Sequence, residues 1–226
     1  MAIMFHDYPE KYHSIKARGI SREKLSEIRK HHFQRLDARL AEAKANGQRA
    51  IFTGEDVSVS TESEVVKLSS FYKDRGFIPR VVAYVRRPVS FMQSSFQQRL
   101  KANLRELSES QAPWPNYRKR FEKLDNVFGK ENVTLKLFDP ASLVSGDVCV
   151  DFFAELGLQI RPDQVVRANE SMSLEACALL FAQRSLGQGF VQGFEGVHAS
   201  NFAFIDSLSR IGKGKFRFKR SFLEPI

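Results

Sequence analysis

The segment that decides the predicted fold is RVVAYVRRPVSFMQSSFQQRLK, which spans residues 80–101. Residues 81–85 form a continuous apolar run, typical of a strand that is covered on both faces of a parallel sheet. Pro88 suits the first position of a helix, because its missing N–H group would have no intrahelical partner there. The segment therefore predicts a buried strand that leads directly into a helix.

Two arginines lie at the predicted junction between this strand and this helix. Arg86 and Arg87 follow the carboxyl end of the strand, where open α/β sheets bind their ligands. Free N–H groups at a helix N-terminus favour an anion, and an arginine fork can grip a phosphate with two hydrogen bonds. Ser94 or Ser95, about two turns into the helix, could add a hydroxyl donor. The alternative for Arg86 is an ion pair with a carboxylate near the sheet edge.

The same residues carry a resemblance to a known family. Arg86, Pro88 and Ser94, eight positions after Arg86, resemble the 3′-phosphate-binding element of sulfotransferases that use 3′-phosphoadenosine-5′-phosphosulfate. The string YVRRPVSFMQSSFQQRLK is similar to bacterial sulfotransferase-like proteins of the carbohydrate-modifying type. The stretches FGKENVTLKLFDPASLVSGDVCVDFFAELGL and RANESMSLEA resemble later parts of the family. The resemblance covers roughly residues 49–175.

The resemblance implies a fold, a donor and an acceptor. The implied fold is α/β of the P-loop NTPase and sulfotransferase type, with a mostly parallel sheet flanked by helices in three layers. The donor would be 3′-phosphoadenosine-5′-phosphosulfate, with Arg86 and Ser94 on its 3′-phosphate, and the acceptor a carbohydrate or similar hydroxyl. A late basic loop closes over the nucleotide in the family, which makes Lys213 and Lys215 further cofactor-binding candidates.

One element of the family pattern is not found before Arg80. Sulfotransferases begin with a strand, a Gly-rich loop of the kind G-x-x-K-x-G-T-T and a helix, and this loop cradles the 5′-phosphosulfate. GKGKFRF at 212–218 lies too late and lacks a preceding apolar strand. A shortened gene product, a wrongly assigned start and a loss of catalysis all remain open. The alternative function is therefore a non-catalytic or truncated relative that keeps only a nucleotide or anion pocket.

Glu55 is the candidate catalytic base. The string AIFTGED predicts a short strand over 50–53 and places Glu55 just past it. Transfer of a sulfuryl group to a hydroxyl needs a group that removes the acceptor proton, and a desolvated carboxylate can do this. Several sulfotransferases use a Glu or His at the end of a neighbouring strand. The alternative is that Gly54, Glu55 and Asp56 form an ordinary turn.

The remaining pattern predicts one α/β domain over 21–226, preceded by a loosely ordered segment, 1–20. A third parallel strand is expected at 133–138. Apolar spacing predicts helices at about 25–45, 61–75, 88–104, 114–128, 148–156 and 171–186. Thr61 and Glu64 predict a capping box at the start of the second of these helices. Cys149 and Cys177 lie in apolar helical segments, and we expect both to be free and buried, without metal-ligand spacing.

Composition limits the partners. The formal charge of +9 over 226 residues favours anionic partners such as a nucleotide. No run of 18 apolar residues and no signal-peptide pattern is found, so we expect a cytoplasmic protein without a membrane partner. Basic and aromatic residues alternate over 213–220, which would suit single-stranded nucleic acid. We favour the other interpretation, an ordered segment with Phe216, Phe218 and Phe222 facing inward.

Overall fold

The computed structural model describes residues 2–11, 20–102, 104–106, 114–166, 171–187 and 197–223. The described chain is mixed α/β and mostly helical, with a small two-strand parallel sheet. It divides into two compact units. Unit 1 comprises Met1–Ala83 and Asn116–Thr134, and unit 2 comprises Tyr84–Pro115 and Leu135–Ile226. The helices are α1 Ala2–Phe5, α2 Arg22–Ala45, α3 Glu62–Lys73, α4 Pro88–Lys101, α5 Tyr117–Phe128, α6 Val148–Glu155, α7 Leu174–Leu186, α8 Val197–Ser209 and α9 Arg220–Leu223.

Two of the three predicted strands are confirmed. They are β1, Val81–Val85, and β2, Val133–Leu137, which are neighbours in the parallel sheet. The N–H group of Phe138 donates to the carbonyl oxygen of Val85 at 2.7 Å. In a parallel pair this bond places Val85 next to Leu137. The residues that follow Val85 therefore lie beside the residues that follow Leu137, one for one.

The prediction of a strand over 50–53 is wrong. These residues have no regular secondary structure, and Ile51 and Phe52 are exposed. The apolar run has the composition of a strand, but a strand also needs a neighbour that takes its N–H and C=O groups. Phe52 instead lies against the ring of Tyr72, with 5.2 Å between ring centroids. Composition alone did not reveal that the ladder partner was missing.

Unit 1 is a helical unit with its own core. The predicted capping box at Thr61 is confirmed, since its hydroxyl accepts from the Glu64 N–H group and the Glu64 carboxylate accepts from the Thr61 N–H group. α3 begins there, and α2 begins at the N-cap Ser21. The core of unit 1 is formed by buried side chains of α1, α2, α3 and α5: Met4, Phe5, Leu36, Leu40, Val65, Leu68, Tyr72, Leu124 and Phe128.

The described start of the chain, residues 2–11, contributes to the core of unit 1. Residues 2–11 were expected to be loosely ordered, but α1 and a 3₁₀ turn, Pro9–Lys11, form there. The ring of Phe5 is buried and meets Phe33 and Phe71 edge-on, with centroids 5.5 and 5.3 Å away. This packing joins residues that are far apart in the sequence, so no local pattern announces it. Residues 12–19 lie outside the described part of the chain.

Unit 2 has a second core, built on α4, α7 and α8. Its buried members are Phe96, Leu100, Met172, Ala176, Cys177, Leu180, Ile205 and Leu208. Phe216 and Phe218 pack against this core, and Phe222 stacks on Phe218 at 4.8 Å, as the inward-facing interpretation of this segment predicts.

The two cysteines of unit 2 differ. Both are free thiols, as predicted. Cys177 is buried in the core, and burial raises the pKa of its thiol to about 11. The prediction that Cys149 is buried is wrong, because the first turn of α6 buries the neighbouring Val150 and Asp151 and leaves Cys149 exposed.

None of the described helices is both long enough and apolar enough to cross a lipid bilayer.

Candidate functional site

The carboxyl end of β1 presents the two predicted arginines in different settings. The register of the sheet continues past the strand, so Arg86 comes next to Phe138 and Arg87 next to Asp139. The guanidinium carbon of Arg86 lies 4.3 Å from the centroid of the Phe138 ring. A nitrogen of Arg87 lies 3.2 Å from the Asp139 carboxylate, and the Arg87 side chain is 72% exposed. Arg87 therefore forms a surface ion pair, a contact of small energetic value.

The helix that follows begins as the sequence predicts. Pro88 is its first residue, and the N–H group of Phe91 donates to the carbonyl oxygen of Arg87 at 2.9 Å. The first turn of a helix has N–H groups without intrahelical acceptors, and the helix dipole makes that end attractive to anions. Ser94 lies partly buried on the same helix. Arg86 and Ser94 thus belong to one continuous strand–helix element.

The basic segment near the end of the chain packs against this helix. Phe96, two residues after Ser94, stacks on Phe216 with centroids 5.1 Å apart and meets Phe218 at 5.4 Å. The segment between these phenylalanines and Gly212 carries Lys213 and Lys215, whose side chains are exposed. The four residues predicted to bind the nucleotide therefore lie on neighbouring segments of unit 2.

Backbone contacts fix the lysine-bearing segment to the start of α7. The N–H group of Leu174 donates to the Gly214 carbonyl oxygen at 2.7 Å, and the Gly214 N–H group donates to the Glu175 carboxylate at 3.1 Å. Gly212 has a φ of +74°, and a Cβ atom there would lie 2.3 Å from that carboxylate. Only glycine fits this approach. Hydrogen bonds from the Glu175 N–H group and from Gly214 lower the pKa of Glu175, so the carboxylate stays ionised near neutral pH.

A buried carboxylate next to the strand ends was missed by the sequence analysis. Asp151 on α6 accepts hydrogen bonds from the Tyr84 hydroxyl at 2.6 Å and from the Val144 N–H group at 3.2 Å. The ammonium group of Lys136 lies 2.5 Å from the same carboxylate and 3.5 Å from Glu155. Tyr84 and Lys136 are adjacent in the register of the sheet, so Asp151 joins both strands to α6.

The electrostatics of this cluster favour its charged form. Burial opposes ionisation of Asp151, but the hydrogen bonds from Lys136 and Tyr84 outweigh it and lower the pKa of Asp151. The hydrogen bond to Asp151 raises the pKa of Lys136. Burial and the same carboxylate raise the pKa of Tyr84. The ion pair between Asp151 and Lys136, with the neutral Tyr84 hydroxyl beside it, therefore stabilises the strand ends next to Arg86.

Glu55 belongs to unit 1. It begins a 3₁₀ turn, Glu55–Val59, directly after Gly54, so the interpretation of this stretch as a turn matches the backbone. The turn is fastened to α5. A guanidinium nitrogen of Arg120 donates to the Ser58 hydroxyl at 3.0 Å, and the ammonium group of Lys123 donates to the Ser58 carbonyl oxygen at 2.8 Å. The structure thus places the candidate base in unit 1 and the four candidate nucleotide-binding residues in unit 2.

Metal-ligating side chains do not converge in the described part of the chain, where no group of three or more His, Cys, Asp and Glu residues could hold a metal ion.

Comparison with family models, with curated proteins and with solved structures found no match to this chain.

Proposed function

We propose that this chain is a sulfotransferase-like protein whose unit 2 binds 3′-phosphoadenosine-5′-phosphosulfate. The observation that carries the proposal is the strand–Arg86–Pro88–helix element. Phe96 of this helix stacks on Phe216, the residue that directly follows Lys215. In this proposal the two-strand sheet belongs to a three-layer arrangement of the P-loop and sulfotransferase type.

Each candidate residue has a physical role in nucleotide binding. Arg86 would bind the 3′-phosphate with its planar fork, and the N–H groups at the start of α4 would add to the favourable potential. Ser94 would donate its hydroxyl to the same phosphate. Lys213 and Lys215 would act as flexible point charges from the neighbouring segment.

The proposed reaction is transfer of a sulfuryl group to a hydroxyl, with a carbohydrate as the acceptor. The bond between sulfur and the bridging oxygen of the 5′-phosphosulfate breaks, and a bond between sulfur and the acceptor oxygen forms. The acceptor proton passes to a general base, for which Glu55 is the candidate from the sequence. The leaving group is adenosine 3′,5′-bisphosphate, which keeps both electrons of the broken bond.

A second function is favoured because no Gly-rich loop of the family's kind is found before Arg80. In the family this loop supplies the donors that stabilise charge on the transferred and leaving groups. Loss of one such donor typically costs about 10²–10³ in rate, and loss of the whole cradle should cost more. We therefore propose, as the alternative, that this 226-residue chain is a nucleotide-binding relative of the sulfotransferases and transfers sulfate slowly or not at all.

One experiment separates the two functions. Radiolabelled phosphosulfate is incubated with the purified chain and a panel of glycans, and nucleotide binding is measured in parallel by titration calorimetry. We expect adenosine 3′,5′-bisphosphate to bind and transfer to be weak, which supports the binding protein. Robust turnover that Glu55→Gln abolishes supports the enzyme, whereas a failure to bind the nucleotide contradicts both.

A further inference from the structure

A cleft in unit 1 has the size of a small-molecule site, and no part of the proposed function uses it. Its volume is about 470 Å³, within the range of roughly 300–1,000 Å³ that is usual for ligand pockets. It lies between the start of the chain, α2 and α3. Its lining includes Asp7, Arg29, Phe33, Phe71, Asp74 and Arg75.

Several tethers hold the walls of this cleft in place. The N–H group of Asp7 donates to the buried carboxylate of Glu64 at 2.8 Å, and the carboxylate of Asp7 pairs with Lys67. A guanidinium nitrogen of Arg29 donates to the Met4 carbonyl oxygen at 2.6 Å. These contacts join residues that lie 25 to 60 positions apart. The cleft is therefore largely formed before any ligand arrives, which lowers the entropic cost of binding.

The apolar wall is aromatic. Phe33 and Phe71 are partly buried and lie 5.5 Å apart, centroid to centroid. The guanidinium carbon of Arg75 stands over the Phe71 ring, 3.6 Å from its centroid, so Arg75 covers one face of this ring and leaves the other side of the ring for the wall. Such a surface suits the flat or apolar body of a small ligand.

The charges in the cleft single out one arginine. Lys67 pairs with Asp7, and Arg75 pairs with Asp37 at 2.5 Å. Arg29 differs, because in the described part of the chain it pairs with no carboxylate and donates only to a backbone carbonyl. A guanidinium group has five N–H donors in a planar fork, so most of this fork remains for a planar anion.

We propose that this cleft binds a small organic carboxylate with an apolar or aromatic body. The carboxylate would take the fork of Arg29, and the body would lie on Phe33 and Phe71. Asp74 also lines the cleft, and its negative charge disfavours a doubly charged phosphate monoester relative to a singly charged carboxylate. This inference goes beyond the proposed function, since every residue that it uses belongs to unit 1.

The test adds three matched probes to the full chain and measures their binding through amide chemical shifts in two-dimensional NMR. Phenylacetate is the carboxylate, phenylacetamide is its neutral analogue, and phenyl phosphate is the dianion. We expect phenylacetate to shift the amides of residues 4–7, 29–33 and 67–75 in a saturable way. Phenylacetamide should bind about tenfold more weakly, the scale of one charged hydrogen-bonding group. Equal binding of the two, or tighter binding of phenyl phosphate, overturns the proposal.

Two variants with one control locate the binding group. Arg29→Gln should weaken phenylacetate binding about tenfold, whereas Arg39→Gln, an exposed arginine on the same helix, should leave it unchanged. Because Arg29 also tethers Met4, Asp74→Asn provides an independent test that keeps this tether. It removes a repelling charge and should tighten binding about two- to fivefold. Unchanged affinity in Arg29→Gln, or unchanged or weaker affinity in Asp74→Asn, overturns the proposal.

Discussion

Each unit has a buried carboxylate that ties distant segments together, and the two carboxylates use different partners. Glu64 in unit 1 is 3% exposed, and Asp151 in unit 2 is 2% exposed. Glu64 accepts from the backbone N–H groups of Asp7 and Thr61, both at 2.8 Å. Asp151 accepts mainly from side chains, those of Tyr84 and Lys136. One carboxylate therefore fixes backbone, whereas the other forms a partly buried ion pair.

This difference decides what each carboxylate contributes to function. Glu64 fixes the start of the chain, which forms one wall of the cleft in unit 1. Asp151 fixes the carboxyl ends of β1 and β2 beside the arginine predicted to bind phosphate. Loss of a buried charge partner leaves the remaining charge poorly compensated. Loss of a carboxylate that caps backbone N–H groups is milder when an amide oxygen can take its place.

The largest expected effect is that of Asp151→Asn. The substitution removes the charge that Lys136 and Tyr84 contact, and we expect the free energy of unfolding to fall by about 1.5–3 kcal/mol. Urea denaturation followed by circular dichroism measures it. The control is Asp206→Asn, which removes an exposed carboxylate that pairs with Arg210 at 2.9 Å, and should change stability by less than about 0.5 kcal/mol. Equal effects of the two variants would mean that the Asp151 cluster is not a buried charge network.

A smaller loss is expected for Glu64→Gln. Glutamine can still accept from the Thr61 N–H group, since Gln as well as Glu completes a capping box. The free energy of unfolding should therefore fall by only about 0.5–1.5 kcal/mol. Glu62→Gln, an exposed neighbour in the first turn of α3, is the matched control. A loss as large as that of Asp151→Asn would remove the distinction between the two carboxylates.

Acid should weaken both anchors. Burial opposes ionisation of each carboxylate, but hydrogen bonds outweigh it: from Asp7 and Thr61 they lower the pKa of Glu64, and from Lys136 and Tyr84 that of Asp151. A carboxyl group whose pKa is lower in the folded than in the unfolded state stabilises the fold at pH values above its unfolded pKa. That stability is lost as the pH falls through the folded pKa. We expect urea midpoints to drop below about pH 4.5, and Asp151→Asn and Glu64→Gln each to show a shallower drop than the wild type.

Local patterns predicted the elements that depend on local chemistry. The apolar run of β1, the proline at the start of α4 and the capping box at Thr61 were all confirmed. In each case the residues that form the contact lie within a few positions of one another. The hydrogen bond between Glu64 and Thr61 could therefore be predicted, because it is local. The hydrogen bond between Glu64 and Asp7 could not, because these residues lie far apart in the sequence.

The rest depended on partners that the chain order does not reveal. Asp151 lies 67 positions from Tyr84, and their meeting requires the register of the sheet as well as its strands. The apolar run at 50–53 was predicted as a strand from composition, although no neighbour pairs with it in the described chain. The unit 1 cleft was missed because its walls come from three segments without any shared motif. Glu55 stays a prediction.

The measurement that tests the central claim most directly is calorimetric titration of adenosine 3′,5′-bisphosphate into the wild-type chain, Arg86→Ala and Arg87→Ala. Arg87 is the matched control, since it lies one residue away in an exposed ion pair with Asp139. We predict that Arg86→Ala weakens binding by about 1.5–3 kcal/mol, the scale of hydrogen bonds to a charged group, and that Arg87→Ala changes it far less. Equal affinity of the wild type and Arg86→Ala would contradict the account and remove Arg86 from the site.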